Sequence, residues 1–184
     1  MTLSSHKSNI VENSYNVAEN NIILLSGDDW AKWFVTEVNQ ASSSIHLSIY
    51  MISDHWRSPE LGNLNLVKTL AEAGQRGLTC RCIIDQPHVI NRRIKFNTQA
   101  ARKLQQSGWK IRVMPSNVTL HEKVLILDKR LSVVGSHNIS KASALSNFDT
   151  SLAIHSESLA MRMHRHFWER WRMAVPFVAD AWQK

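Results

Sequence analysis

Four polar side chains within residues 121–138 are of types that carry out acid–base and anion-binding chemistry. His121 and Lys123 are two residues apart, and so are Ser136 and Asn138. Residues two apart in a strand point to the same face of a sheet. If the two segments pair as strands, an imidazole, an ammonium, a hydroxyl and a carboxamide converge on one patch. Such a patch holds a nucleophile or proton carrier beside donors for anionic oxygens, which suits a phosphate group.

Two short apolar runs carry these side chains. Residues 124–127 are apolar, and so are residues 131–134 apart from Ser132; polar residues 128–130 separate the two runs, which predicts two buried strands joined by a tight turn. Asp128 has the opposite parity to His121, so we expect a structural hydrogen bond or ion pair rather than a contact with substrate. Gly135 is expected to allow close backbone approach beside the phosphate. His137 should face away from Ser136 and is interpreted as a structural or surface residue.

Hydrolysis of a phosphodiester without a metal requires a nucleophile, a proton donor for the leaving oxygen and positive charge for the phosphoryl oxygens. A neutral His121 imidazole can attack phosphorus, while Lys123 and Asn138 donate to the oxygens with Ser136 nearby. No His, Asp or Glu group in the sequence has the spacing of metal ligands, so no metal or cofactor is expected. One histidine cannot easily be nucleophile and acid in the same step, so a second histidine is needed.

The order of these residues resembles the signature of the phospholipase D superfamily, the HKD enzymes. The pattern is His-x-Lys-x4-Asp at residues 121–128, followed by Gly-Ser-x-Asn at residues 135–138. Residues 45–52 resemble the first core strand of the family, and residues 67–85 its helix, glycine turn and second strand. The resemblance covers residues 22–171 and is closest to the small single-motif members, the bacterial endonucleases.

This resemblance implies a phospholipase D-like α/β/α sandwich and a metal-independent phosphodiesterase. Single-motif members form symmetric dimers in which the two motifs meet at the two-fold axis. By this analogy His121 of one subunit forms a phosphohistidine, and His121 of the other protonates the leaving group and then activates water. In the family Asp128 belongs to the signature without being the nucleophile. Members often carry Asn-x-Glu downstream to orient the catalytic histidine, and the match here, residues 147–149, implies that role for Asp149.

The polar, basic loops favour nucleic acid as the substrate but do not exclude other phosphodiesters. Arg and Lys side chains on loops after predicted strands would contact backbone phosphates, and a tryptophan there could stack a base. These candidate substrate-binding residues are Trp56, Arg57, His88, Arg92, Arg93 and Lys95. A nuclease acting on DNA or RNA is the leading hypothesis. Lipid phosphodiester cleavage or phosphatidyl transfer, and a nucleic-acid-binding module with an idle motif, remain the alternatives.

Composition sets broader limits. The chain has 184 residues, 43% of them hydrophobic, and a formal net charge of +7, which suits a polyanionic partner. Residues 1–20 are expected to be weakly ordered, and residues 21–184 to form one catalytic domain. The sequence shows neither a signal peptide nor an apolar run long enough for a membrane span, so a cytoplasmic location is expected. Cys80 and Cys82 are interpreted as buried free thiols.

Alternating strand and helix signals predict an α/β fold with a mixed, mostly buried sheet flanked by helices on both faces. Asp28 or Asp29 is predicted to cap the first helix and Asn97 a later one. A final helix is predicted to open at Ser156 and to end at Met173. Its stripe of Met163, Phe167 and Trp171 should face the core, with Arg162, Arg165, Arg170 and Arg172 on the solvated side.

Overall fold

The hydrophobic pattern gives rise to alternating strands and helices. The computed structural model describes residues 21–54, 64–86 and 93–179. The elements in chain order are β1 (Asn21–Ser26), α1 (Gly27–Gln40), β2 (Ser44–Ile49), α2 (Leu66–Gln75), β3 (Thr79–Ile84), α3 (Arg93–Gln106), β4 (Lys110–Val113), β5 (Lys123–Leu127), β6 (Leu131–Gly135), α4 (Lys141–Leu145), β7 (Thr150–His155), α5 (Glu157–Met173) and β8 (Val175–Pro176). The predicted order of elements is confirmed, with β8 as an unpredicted addition.

The strands form one eight-stranded sheet in the order β1-β7-β6-β5-β2-β3-β4-β8. The pairs β2–β3 and β3–β4 are parallel, and the other pairs are antiparallel. All six residues of β2, in the middle of the sheet, are buried. A mixed sheet with a buried centre requires cover on both faces, and this confirms the predicted α/β class.

Helices cover the two faces unequally. Trp30, Phe34 and Val38 of α1 are buried in the larger core, which also includes residues of α2 and α3. On the other face α5 is the one helix among the described residues that packs against the sheet, and its Phe167 and Trp171 are buried in a smaller core. The predicted core-facing stripe of the last helix is therefore confirmed. Ser156 caps this helix through its side chain, as expected from the sequence.

Two predicted helix caps are wrong. Helix α1 begins one residue after Ser26, ahead of both Asp28 and Asp29, because the chain turns directly from β1 into the helix at Gly27, whose φ is 56°. Asn97 lies inside α3 instead of at its start. Its carboxamide accepts from the Ile52 N–H and donates to the carbonyls of Tyr50 and Asp85. The asparagine satisfies backbone groups at the ends of β2 and β3, a demand that outweighs its preference for a cap.

The turn between β5 and β6 determines the register of the hairpin that carries the motif. Asp128 and Lys129 have φ values of 52° and 56°, the left-handed conformation at both central positions of a tight turn, and the Arg130 N–H closes it by donating to the Leu127 carbonyl. Three residues, 128–130, separate the paired Leu127 and Leu131. Val124 pairs with Val134 in consequence, and the hairpin ends fall together. Cys80 and Cys82 are buried and free, as predicted. The predicted disorder of residues 1–20 falls outside the part of the chain described here.

Candidate active site

The ends of β5 and β6 bring the motif residues to one edge of the sheet. Lys123 is the first residue of β5 and pairs with Ile49, the last residue of β2. Strand β6 ends at Gly135, so Ser136 and Asn138 follow it at the same end of the sheet as Lys123. His121 is exposed and lies just before β5, although the sequence predicted it inside the strand. The pairing of β2 with β5 ends at Ile49 and Lys123, and one further hydrogen bond runs from the Tyr50 N–H to the carbonyl of residue 122.

Tyr50 holds the two basic residues of the motif, a role that the sequence did not indicate. Its ring lies 4.8 Å from the His121 ring, centroid to centroid, and 4.9 Å from the Lys123 Nζ atom. The Lys123 ammonium also donates to the His121 carbonyl at 2.9 Å. Burial lowers the pKa of Lys123, and the charges of Asp149 and Asp85 oppose this shift. The sequence contained one signal for this role, an aromatic residue directly after the fully buried strand β2.

Asn138 is fixed against the end of β2. Its Oδ1 atom accepts from the Met51 N–H at 3.2 Å, and the next residue, Ile139, forms a bridge with Ile52. With the carbonyl oxygen occupied, the Nδ2 group is the part of the side chain that can donate to an anion. This agrees with the expected role of Asn138 as a donor to phosphoryl oxygens.

Ser136 and Asp149 form a hydrogen-bonded unit beside the motif. The Ser136 hydroxyl donates to Asp149 Oδ1 at 2.7 Å and accepts from the Thr150 N–H at 2.9 Å. Asn147 donates to the other carboxylate oxygen at 3.2 Å. Burial raises the pKa of Asp149, but hydrogen bonds from Ser136, Ser143 and Asn147 outweigh it and lower the pKa overall. In this structure Asp149 therefore orients Ser136, whereas the sequence placed it against His121.

His137, between Ser136 and Asn138, and Gly135, just before them, have structural roles. His137 is buried, with its Nδ1 atom 2.8 Å from the Ser151 hydroxyl and its ring stacked on Trp30 at 4.8 Å. The structural interpretation of His137 is thus consistent with its packing. A side chain at Gly135 would collide with Ser151 and the backbone of Thr150 on β7. Gly135 therefore allows β6 and β7 to approach each other closely. The sequence predicted instead that it allows close approach to a phosphate.

Asp128 lies at the opposite end of β5 from Lys123 and binds the segment that leads into β2. Its carboxylate accepts hydrogen bonds from the start of β2 and the two residues before it. The donors are the N–H groups of Ser42, Ser43 and Ser44 and the hydroxyls of Ser42 and Ser43. Burial raises the pKa of Asp128, but these donors outweigh it and lower the pKa to about 2. The predicted structural role is therefore supported by five hydrogen bonds.

Glu122 connects the motif to α5, which the sequence did not suggest. Its carboxylate accepts from the Ser48 hydroxyl at 2.7 Å and from Arg170 Nε at 3.1 Å, and it lies 3.2 Å from His166 Nε2. Arg170 is thus paired, and its predicted position on the solvated outer face of the helix is wrong. The reason is that α5 crosses the sheet next to β5, so a residue at the helix flank meets the motif.

Replacing Glu122 with glutamine is expected to destabilise the fold and lower kcat. The amide keeps the size but loses the charge-assisted bond from Arg170, which should reduce the free energy of unfolding by about 2 kcal/mol. The hydrogen bonds of Glu122 hold the backbone between His121 and Lys123 in place. Their loss should misplace these two side chains, so kcat should fall more than KM changes. Urea unfolding and steady-state kinetics measure both effects. Glu169→Gln is the matched control, since Glu169 is 56% exposed and forms one ion pair, with His166 at 3.6 Å, among the residues that the structure describes. Equal effects of the two variants would contradict the role of Glu122.

Several predicted substrate-binding residues fall outside the described part of the structure. They are Trp56, Arg57, His88 and Arg92, together with the side chains of Arg93 and Lys95. Within residues 21–54, 64–86 and 93–179, no group of three or more His, Cys, Asp or Glu side chains is arranged to hold a metal ion. Over the same ranges, none of the helices has the length and apolar character needed to span a membrane.

Comparison with known sequences places this geometry in a family context. Residues 34–171 match the family described as cardiolipin synthase, PLD-like domain. A phospholipase D of Rickettsia typhi is 26% identical over 140 residues, which cover 76% of this chain and 61% of the relative. The chain therefore spans about three fifths of the length of the curated relatives it matches.

Two solved structures share the fold. One is Nuc from Salmonella typhimurium, a phospholipase D family member, with a TM-score of 0.73, 22% identity, and coverage of 86% of this chain and 99% of that one. The other is NucT from Helicobacter pylori, with a TM-score of 0.66, 15% identity, and coverage of 86% and 100%. At these identities the likeness establishes the arrangement of strands and helices, and it confirms the expected sandwich with one sheet between helical layers.

Proposed function

The chain belongs to the phospholipase D superfamily, and from that premise we propose that it is a metal-independent phosphodiesterase that cleaves nucleic acid. The observation that carries the proposal is the convergence of an exposed His121 with the Lys123 ammonium and the Asn138 amide at one sheet edge. These groups supply a nucleophile and donors for the phosphoryl oxygens without requiring a metal. The Ser136–Asp149 unit lies beside them as a further polar group.

In the first step a neutral His121 imidazole attacks phosphorus, so that a P–N bond forms as the P–O bond to the leaving group breaks. Lys123 and Asn138 donate to the non-bridging oxygens, where negative charge is held. The leaving oxygen takes a proton from a second acid. In the second step water attacks phosphorus, the P–N bond breaks, and the same acid, now a base, removes the proton from the water.

The second acid is proposed to be His121 of another copy of the chain. The chain has one His-x-Lys motif, and a two-fold interface brings the same patch of two subunits together. The two imidazoles then have identical surroundings but different protonation states, which coupled titration of the pair provides. A homodimer with a shared site follows from this scheme.

Nucleic acid is proposed as the substrate because the chain carries a formal charge of +7, and a polynucleotide offers many phosphates to a basic surface. The named activity of the Rickettsia relative supports the second candidate, cleavage of a lipid phosphodiester, which would use the same catalytic residues. Parallel assays on single-stranded DNA and on phosphatidylcholine vesicles, each with EDTA, separate the two. Cleavage of DNA that survives EDTA is the expected result, and cleavage of the lipid alone would overturn the choice of substrate.

Hybrid dimers test the shared site directly. A dimer with one wild-type subunit and one His121→Ala subunit, isolated through two different affinity tags, should have less than about a tenth of the wild-type activity, because it lacks either the nucleophile or the general acid. A doubly tagged wild-type dimer is the control. Half of the wild-type activity in the hybrid would show that each subunit works alone. A monomer in light scattering with full activity would also contradict the scheme.

A further inference from the structure

A groove of about 410 Å³ lies beside β3, β4 and the second half of α5, apart from the motif residues. Its walls include Arg81, Lys110 and Arg112 from the strands and Trp168 and Trp171 from the helix. We call it the tryptophan–arginine groove. Three cationic side chains line it, and among its lining residues in the described part of the chain there is no carboxylate. The groove therefore combines positive charge with aromatic surface.

Its arginines are held by stacking instead of by ion pairs. The guanidinium of Arg81 lies 5.0 Å from the Trp168 ring centroid and 6.0 Å from that of Trp171. Arg112 lies 5.0 Å from the Trp171 ring and donates to the carbonyls of Trp171 and Ala174. A stacked guanidinium is fixed in its plane and keeps edge N–H groups for an anion. Across the ranges that the structure describes, neither Arg81 nor Lys110 pairs with a carboxylate.

The sheet register gives the position of the groove relative to the motif. Arg81 pairs with His46 and His46 with Ile126, whereas Lys123 pairs with Ile49. Arg81 is thus three residues along and two strands across from Lys123, roughly 10 Å in each direction. It lies on the α5 face of the sheet, as Ile126 does, whereas Lys123 has the parity of Leu125 on the α1 face. A small phosphodiester bound at His121 cannot reach the groove, but a polynucleotide that passes around the end of the sheet can reach both.

We propose that the tryptophan–arginine groove binds a single-stranded segment of the nucleic acid outside the catalytic motif, with phosphates on Arg81 and Lys110 and an unpaired base against Trp168, the less buried of the two indoles. The proposal rests on the nuclease function proposed above and extends it to a second contact surface. Cationic side chains interleaved with aromatic ones are the arrangement that binds single strands without reading their sequence. A lipid surface is disfavoured because Trp171 is only 8% exposed and so is recessed, whereas membrane insertion requires protruding apolar side chains.

The test compares a long and a small substrate. Binding of a fluorescein-labelled oligothymidylate to the full chain carrying His121→Ala is measured by anisotropy over a range of salt concentrations. Adding Arg81→Gln and Lys110→Gln should weaken binding about tenfold and flatten the log–log salt slope by about 1.4, the value for two single-strand phosphate contacts. In the chain with native His121, the same two changes should raise KM for the oligonucleotide and leave hydrolysis of bis(p-nitrophenyl) phosphate unchanged.

Lys110→Glu is a second variant, since Lys110 is exposed and its replacement does not disturb the stacked arginines. The charge-matched control is Lys68→Gln with Arg162→Gln, two exposed positions outside the groove, one of them on a helix of the opposite face. Unchanged oligonucleotide binding in both groove variants would overturn the proposal. So would loss of binding to phosphatidylglycerol vesicles with oligonucleotide binding retained, or equal loss on the small diester. If wild type cleaves neither substrate, the proposed function fails, but anisotropy still decides whether the groove binds nucleic acid.

Discussion

Replacing His121 with alanine is expected to lower kcat/KM for a phosphodiester by about 10⁴-fold or more, because both the nucleophile and its symmetric partner are lost. The free energy of unfolding should stay within about 0.5 kcal/mol of wild type, since an exposed ring at the sheet edge contributes little to packing. A single-strand cleavage assay and urea unfolding measure the two quantities. A phosphorylated imidazole detected on His121 by mass spectrometry after rapid quenching would identify the intermediate.

His155→Ala is the matched control for this loss. His155 is also exposed, but it is the last residue of β7 and pairs with Leu131 at the hairpin end of the sheet, far from Lys123. Its replacement should leave both kcat/KM and stability near wild type. Cleavage by His121→Ala at a rate comparable to that of His155→Ala would exclude His121 as the nucleophile, whatever the oligomeric state of the protein.

Replacing Asp128 with asparagine is expected to reduce the free energy of unfolding by about 2 to 3 kcal/mol. Asparagine tolerates the φ of 52° at this position, so the change isolates the carboxylate from the turn geometry. One of the two oxygens that accept from Ser42 and Ser43 becomes an amide nitrogen, which cannot accept, so charge-assisted hydrogen bonds from these residues are lost. The lowering of the Asp128 pKa to about 2 has the same cause, since these donors favour the charged carboxylate.

The pH dependence of this effect has a defined sign. Because folding lowers the pKa of Asp128, its contribution to stability is present above the unfolded value of 3.8 and is lost as pH falls through about 2. Urea unfolding at a series of pH values should therefore show a constant difference between wild type and Asp128→Asn at neutral pH, shrinking below about pH 4. Ser42→Ala, which removes a single hydroxyl donor, should cost less. A difference that is independent of pH would assign the effect to the turn.

Local pattern was sufficient for the elements that carry the site. The mostly apolar runs on either side of residues 128–130 predicted the hairpin, because a short polar segment between two such runs favours a tight turn. The alternation of side chains along β5 separated Asp128 from Lys123 before any contact was known. Strand ends were less accurate, since β5 begins at Lys123 and leaves His121 outside it. Where the strand begins depends on its pairing with β2, where the last contact is a hydrogen bond from the Tyr50 N–H to the carbonyl of residue 122. Residues that distant in sequence leave no local pattern.

The amino-acid sequence alone determined the α/β class, the spacing of the His-x-Lys motif and the family it resembles, because these depend on residue types and spacings within short segments. Only the tertiary structure decided that Glu122 meets Arg170, 48 residues away, and that Asp149 bonds to Ser136 instead of His121. It also decided that Tyr50 lies against both basic residues of the motif. Those contacts follow from the strand order and from the path of α5 across the sheet, which are set by packing of the whole chain and not by any one segment.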